Sequence, residues 1–574
     1  MRQFIKMVLA TIVGVNILAF LALFGFFIII AIATSGSVKS VTEKSVLSIR
    51  LEGVVDERSS EDIYASLGWG ELNLGLDDIL KSIRAAKDDD LIEGILLEPG
   101  AVSCGVSSLT EIREALADFR TSGKFVYAYS GAYTQGAYYM SSVADSIFLN
   151  PSGTVDWRGL AYQGLFYKRM LEKVGVEMQV IKVGTYKSFT EQYTNEKMSD
   201  ANREQAAALV GDLWTVLANS VSASRGIPVS LLQTAADSML SLQPADSVLA
   251  LNMVDKLAYR DEVLNSIRQR MGLNKDDKIP SISTADYAEG LVDNEEGDQV
   301  AVVYAVGEID NGTTDGIQSA KLSKELLKLA NDDAVKAIVL RVNSPGGSAY
   351  GSEQIWHAVE VLKQNKKVVV SMGDYAASGG YYISCCADAI VANPTTMTGS
   401  IGIFGVIPNV GPLAEKIGID YDVVKTSEGA DFPRVIASMT PVQQRRIQQY
   451  VNNGYELFTK RCSDGRQMNP NDLEMIAQGR VWSGARALQI GLADTLGTLN
   501  DAIELAANMS NLSTYYIKEY PAKKSVWESF ADKTPSLGVR MFAPKEFERE
   551  RKAIEQALKL EVLQAAMPMT IKVE

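Results

Sequence analysis

The apolar residues of this chain fall into short blocks separated by helix-like spacing. Residues 46–51 and 300–306 are strand candidates. After the second run, Leu322, Leu326, Leu327 and Leu329 recur at helical spacing. Then come Ala337-Ile338-Val339-Leu340, a turn, a helical pattern around 352–364, and a further strand-like run at 368–371. Strands that alternate with helices predict parallel pairing through helical crossovers, and so an α/β fold. Longer helices are predicted over 200–224 and 443–461, placed to pack between units or subunits. A charged, amphipathic helix is predicted over 547–565.

One apolar block differs from these in kind. Residues 7–33 are almost wholly apolar, and no charge lies between Lys6 and Lys39. The run exceeds the roughly 20 residues that span a bilayer. It is also longer than the apolar core, about 7–15 residues, of a cleavable signal peptide. Arg2 and Lys6 put the amino-terminal side in the cytoplasm, although Lys39 and Lys44 on the far side weaken that bias. An uncleaved anchor is expected, with the remaining chain outside the cytoplasm; cleavage after Ala31-Ile32-Ala33 is the alternative. No later stretch reads as long and apolar enough to span a membrane.

The pattern also repeats. Ile95-Leu96-Leu97 answers Ile338-Val339-Leu340 at a spacing of 243 residues. Tyr138-Tyr139, Ala144-Asp145 and Asn150-Pro151 answer Tyr381-Tyr382, Ala387-Asp388 and Asn393-Pro394 at the same spacing. A period this long marks two related units rather than a solenoid. The expected layout is a cytoplasmic tip and anchor over 1–44, a first unit over 45–292, a second over 293–510, and a partly helical tail over 511–574. The acidic stretch from Asp293 to Asp298 reads as the joint.

Composition narrows the function classes. The net charge of −14 argues against a nucleic-acid partner. Four cysteines, two of them adjacent (Cys385 and Cys386), give neither a disulfide framework nor a zinc spacing. There is no phosphate-binding loop, no HExxH and no dinucleotide fingerprint, so neither metal nor cofactor is expected.

The chemistry centres on Ala377-Ser378-Gly379-Gly380, just after the strand-like run at 368–371. A serine among small residues at a strand-to-helix turn presents an accessible hydroxyl, but it needs a base. The only histidine, His357, falls in mid-helix and reads as a helix-face residue. A lysine can serve if burial lowers its pKa. The repeat singles out Lys187, which aligns with Ala430, while Ser378 aligns with Gln135. Each unit has lost what the other keeps, which points to one composite site. The glycines of Asn343-Ser344-Pro345-Gly346-Gly347 also survive only beside the serine, and suit backbone approach to a substrate oxyanion.

Together with Arg341-Val342-Asn343, Thr398-Gly399-Ser400-Ile401-Gly402 and Gly184-Thr185-Tyr186-Lys187-Ser188, these motifs resemble the tandem-domain members of serine protease family S49. The resemblance runs from the anchor to about residue 510. It implies two tandem domains of the crotonase and Clp-protease type behind an N-terminal transmembrane helix. It implies a Ser–Lys dyad of Ser378 and Lys187, with Ser400 orienting the amine. Ser400 aligns with Trp157 in the first unit, which could not do that task. Gly346, Gly347 and Gly379 would form the oxyanion hole. It further implies a homotetramer on a bacterial inner membrane, facing the periplasm, that degrades cleaved signal peptides and similar apolar peptides. The alternatives are a crotonase-like acyl-CoA enzyme and a non-catalytic membrane scaffold.

Overall fold

Parallel strands buried on both faces need continuous apolar runs, and this chain supplies two sets of them. The computed structural model describes residues 40–59, 75–291, 295–310, 312, 316–523 and 564–567, with scattered positions between 11 and 25. The first set holds β1 (Ser45–Val54), β2 (Ile92–Ser103), β3 (Phe125–Tyr133) and β4 (Ser146–Val155). A further strand, β5 (Glu177–Lys182), leaves this set, while β6 (Lys256–Leu257) and β7 (Ser281–Ser283) complete it. The sheet order is β6-β4-β3-β2-β1-β7. Helices α1 (Leu76–Asp88), α2 (Val106–Arg120) and α3 (Gln135–Ser141) bury Ile79, Ile83, Ile112, Leu116 and Tyr138 in one core with Leu47, Ile95 and Val126 of the strands.

The second set repeats the plan. Its strands are β8 (Asp298–Val306), β9 (Val335–Ser344), the short β10 (Gly346–Ser348), β11 (Lys367–Ala377), β12 (Ala389–Ala392) and β13 (Met397–Gly399). After these come β14 (Phe404–Asn409), β15 (Val481–Ser483), β16 (Thr495–Leu496), β17 (Tyr515–Tyr520) and β18 (Gln564–Ala566). The main sheet runs β15-β13-β11-β9-β8-β17, with β12 beside β11. β2 and β9 begin at positions related by the repeat spacing, and so do α2 and its counterpart Ala349–Lys363. The predicted helix at 322–329 is Ser319–Ala330; it buries Leu322, Leu326 and Leu329 but leaves Leu327 exposed. β17 lies in the stretch set apart as tail, yet it adds an edge strand beside β8.

The two sets are not separate bodies. β5 from the first pairs antiparallel with β14 of the second, from Phe404↔Lys182 to Asn409↔Glu177. Helix α4 (Asp200–Arg225) crosses to β15: Val481 N–H donates to Gln205 Oε1 at 3.2 Å, and Ser483 Oγ donates to Asp212 at 2.7 Å. Among the described residues, α4 is also the one helix long and apolar enough to cross a membrane by length and composition, contrary to the expectation that no later stretch would be. Its Leu209, Leu213, Leu217 and Val221 are buried within the protein. The expected anchor at 7–33 lies outside the described residues except at scattered positions. So does the helix expected over 547–565, except that Gln564 and Ala565 are strand.

The tightest link is electrostatic. Arg341 of β9 is fully buried and grips Glu57 with two hydrogen bonds of 3.0 Å. Its other terminal nitrogen lies 2.7 Å from Glu111 of α2. Asn343 Nδ2 donates to Glu57 as well, at 2.9 Å. Close by, Asp374 of β11 accepts from the backbone of Ser107 and Ser108 at 2.9 and 3.1 Å, and from Ser108 Oγ at 2.6 Å. Burial pushes the Glu111 and Asp374 carboxyls above their usual range, against the pull of Arg341. Removing one member of a buried charge cluster leaves the others uncompensated. Arg341→Met is therefore expected to cost about 3–5 kcal/mol in urea unfolding. A change under about 1 kcal/mol would contradict a linking role.

Candidate active site

β11 ends at Ala377, and the chain turns sharply into the short helix Gly379–Ser384. Ser378 sits in the turn with φ 56° and ψ −113°, on the side of the backbone map that non-glycine residues rarely occupy. Its N–H donates to Gly399 O at 2.8 Å, and its carbonyl accepts from Tyr382 N. The turn is close-packed. A Cβ at Gly379 would lie 2.6 Å from Ser352 Oγ, 3.1 Å from Gly346 Cα and 3.2 Å from Gly347 N. The paired glycines thus lie directly against the residue after the serine.

Lys187 arrives from the other set of strands. It follows β5 and heads the one-turn helix Ser188–Thr190. Two elements clamp its backbone. Gln205 of α4 donates to Tyr186 O at 3.0 Å and to Ser188 Oγ at 2.8 Å. From the second unit, Gln478 O accepts from Tyr186 N at 2.9 Å. The same loop holds Ser400, whose N–H donates to Arg480 O. Gly479 is the point of closest approach: with φ +79°, a Cβ there would come within 2.7 Å of Lys187 Cβ and N.

The amine therefore meets the serine from opposite halves of the chain. Lys187 Nζ is hydrogen-bonded to Ser378 Oγ at 2.8 Å, to Ser400 Oγ at 3.0 Å and to Ser400 O at 3.0 Å. The ring of Phe404 lies 6.0 Å away. Lys187, Ser378 and Ser400 have no exposed surface. Burial alone pulls the Lys187 amine well below its ordinary pKa; among the described residues no carboxylate offsets it. A neutral amine has two N–H groups and one lone pair. Three oxygen neighbours match that inventory if the Ser378 hydroxyl takes the lone pair.

The corresponding place in the first unit is closed. Gln135, at the serine's position, accepts from Arg158 N and Gly159 N at 3.1 and 2.9 Å, and donates to Gly159 O. Trp157, at the position of Ser400, is fully buried and donates to Leu232 O at 2.9 Å. Ala430, at the lysine's position, is exposed. His357 lies exposed on the helix Ala349–Lys363, away from this cluster of contacts. None of the four cysteines forms a disulfide, and all are buried. Gln205, Gly479 and Phe404 were not legible as site residues. Gly479, a glycine between two long polar side chains, carried no motif signal.

A family model described as peptidase family S49 matches residues 118–274 and again 360–513. A model described as Clp protease matches residues 300–398. A protein named Protease 4 from Salmonella typhi is 37% identical over 518 residues, covering 87% of this chain and 84% of that one. A chloroplastic protein from Arabidopsis thaliana named Serine protease SPPA is 29% identical, covering 82% of this chain and 70% of that one. A protein from Enterococcus faecium named Putative signal peptide peptidase SppA is 34% identical over 199 residues, covering 34% of this chain and 57% of that one.

Gly479→Ala tests how closely the lysine is positioned. The added methyl must displace Lys187 or the loop that holds Ser400. Labelling of Ser378 by a fluorophosphonate is expected to slow by at least about tenfold, and the left-handed backbone at this position is expected to cost about 1 kcal/mol or more in unfolding. Labelling at the parent rate would show that the contact does not set the amine's position.

Proposed function

The chain belongs to peptidase family S49, and on that premise we propose that it is a serine endopeptidase with Ser378 as nucleophile and Lys187 as general base. The observation that carries the reading is the 2.8 Å contact between Lys187 Nζ and Ser378 Oγ in a site without a usable histidine. The neutral amine takes the Ser378 proton as Oγ attacks a peptide carbonyl. Ser400 supports the amine through both its hydroxyl and its carbonyl. Backbone N–H groups of Gly347 and Gly379 stabilise the oxyanion, whereas Gly346 N–H, also expected to do so, donates to Ser344 Oγ at 3.2 Å. The tetrahedral adduct collapses with a proton from Lys187 going to the leaving amine. An acyl-Ser378 ester remains, and Lys187 then deprotonates the water that hydrolyses it. Neither metal nor cofactor enters these steps.

The substrates are signal peptides released into the membrane and similar extended apolar peptides. The name of the Enterococcus relative and the apolar run at 7–33 support this choice. Residues 7–33 are the anchor, residues 45–292 the domain that supplies the lysine, and residues 293–510 the domain that supplies the serine. In this reading the chain faces the periplasm from the inner membrane, as a homotetramer.

Ser378→Ala is expected to abolish hydrolysis of an apolar reporter peptide. Lys187→Ala is expected to lower kcat by about 10²–10⁴-fold. Ser400→Ala retains the carbonyl contact and is expected to lose less, on the order of tenfold. His357→Ala is expected to match the parent. Near-parent activity in Lys187→Ala would end the dyad assignment. The sign of the pH effect follows from burial. The folded-state amine is neutral down to its depressed pKa, and activity is lost as pH falls through that value and the amine protonates. A profile that instead rises toward acid would contradict a lysine base.

A further inference from the structure

A strand from far along the chain lies in the site. β18 runs antiparallel to β10, with Ala566 opposite Gly346, Ala565 opposite Gly347 and Gln564 opposite Ser348. Met567 N–H then donates to Pro345 O at 2.8 Å. On its other side Gln564 pairs with Phe404 of β14. The order of this small sheet is β10-β18-β14-β5, so the segment fills the slot between the glycine strand and the strand that follows Ser400. Both walls of the slot belong to the site: Gly346 and Gly347 abut Gly379, and the Phe404 ring faces the Lys187 amine.

The next residue supplies the side-chain anchor. Met567 is 5% exposed and belongs to an apolar cluster with Ala377, Met397, Val481 and, from α4, Leu209 and Leu213. Ala377 is the neighbour of Ser378. The segment therefore has the two features of a peptide recognised by strand addition: main-chain pairing to an open edge, and one side chain in an apolar pocket beside the reacting atom. The cluster holds the long, unbranched side chain of Met567 among apolar neighbours.

We propose that residues 564–567 are an intramolecular competitor of substrate, holding the peptide groove between β10 and β14 with Met567 in its specificity pocket. This rests on the peptidase reading above. Because the segment is tethered, its effective concentration is independent of protein concentration, and substrate must displace it. The bond after the pocketed residue joins Met567 to Pro568. Proline's ring nitrogen carries no hydrogen and its ring fixes the local backbone, so the segment occupies the groove without presenting an ordinary secondary amide for cleavage.

The test uses the full chain and two variants. Met567→Asp puts a carboxylate into this apolar cluster, and Met567→Gly removes the anchoring side chain. The substrate is an internally quenched peptide, Val-Leu-Gln-Ala-Ala-Met-Ala-Met, which is the segment's own sequence with alanine in place of its proline. Both variants are expected to lower KM by about tenfold, with kcat unchanged, and to speed fluorophosphonate labelling of Ser378 by a similar factor. The unaltered peptide of residues 562–569, added in trans, is expected to restore the parent's apparent KM. If all three chains are active and share one KM and one labelling rate, the competitor proposal fails while the peptidase reading stands. If the parent chain proves by mass spectrometry to be cut after Met567, the segment is a substrate and the proposal also fails. If no chain hydrolyses peptide or labels, the peptidase reading fails and takes this proposal with it.

Discussion

A lysine amine buried against a serine hydroxyl is the arrangement on which the rest of the site depends. Water would protonate Lys187, and a nearby carboxylate would fix that proton in place. Burial keeps solvent from the amine, and among the described residues no carboxylate offsets that effect. The structure offers two serine oxygens, an aromatic ring at 6.0 Å and complete burial. Desolvation alone depresses the amine's pKa. Such an environment is costly for the isolated lysine, since the unfolded chain holds it protonated. That cost must be met by packing elsewhere, and the site is accordingly assembled from both halves of the chain.

The interface between the halves is therefore part of the chemistry. β5 leads to Lys187 and pairs with β14, four residues beyond Ser400. Gln205 from α4 and the loop around Gly479 grip the lysine's backbone from two sides. Behind the serine strand, Glu57 and Glu111 from the first half close on Arg341, and Asp374 takes up two backbone amides of α2. These contacts fix β9 and β11, and so fix where β11 ends and Ser378 turns. The first unit's own serine position is closed by Gln135 and Trp157. Its remaining contribution is the lysine and the frame that carries it.

Much of this was legible because the chain holds its own comparison. The apolar runs at 300–306, 337–340 and 368–371 marked parallel strands, since strands buried on both faces have continuous rather than alternating patterns, while 46–51 was a strand candidate interrupted by Ser48 and Arg50. Setting Ser378 against Gln135 and Lys187 against Ala430 picked out both members of the pair from residue types alone. Other features were hidden for physical reasons. Gly479 matters through a backbone approach that no side-chain pattern encodes. Gln205 acts through main-chain carbonyl contact from a helix that reads as an ordinary apolar one. Gln564 and Ala565 end a stretch with helical periodicity, yet they are strand because the open edge of β10 supplies the partner. Arg341 stood within a motif, but its carboxylate partners lie 230 or more residues away in sequence, where no local pattern could reveal them.

The central claim is that Lys187 is neutral where the site works, and its ionisation can be observed directly. The chain would carry lysines labelled with carbon-13 at Cε, and the Lys187 resonance would be assigned by its loss in Lys187→Arg. Its chemical shift would then be followed against pH. The account requires this resonance to titrate well below the ordinary lysine value of 10.5, apart from the surface lysines, and to move when Ser378 is acylated. A Lys187 resonance that titrates with the surface lysines would mean a charged amine beside Ser378, and the account would be wrong.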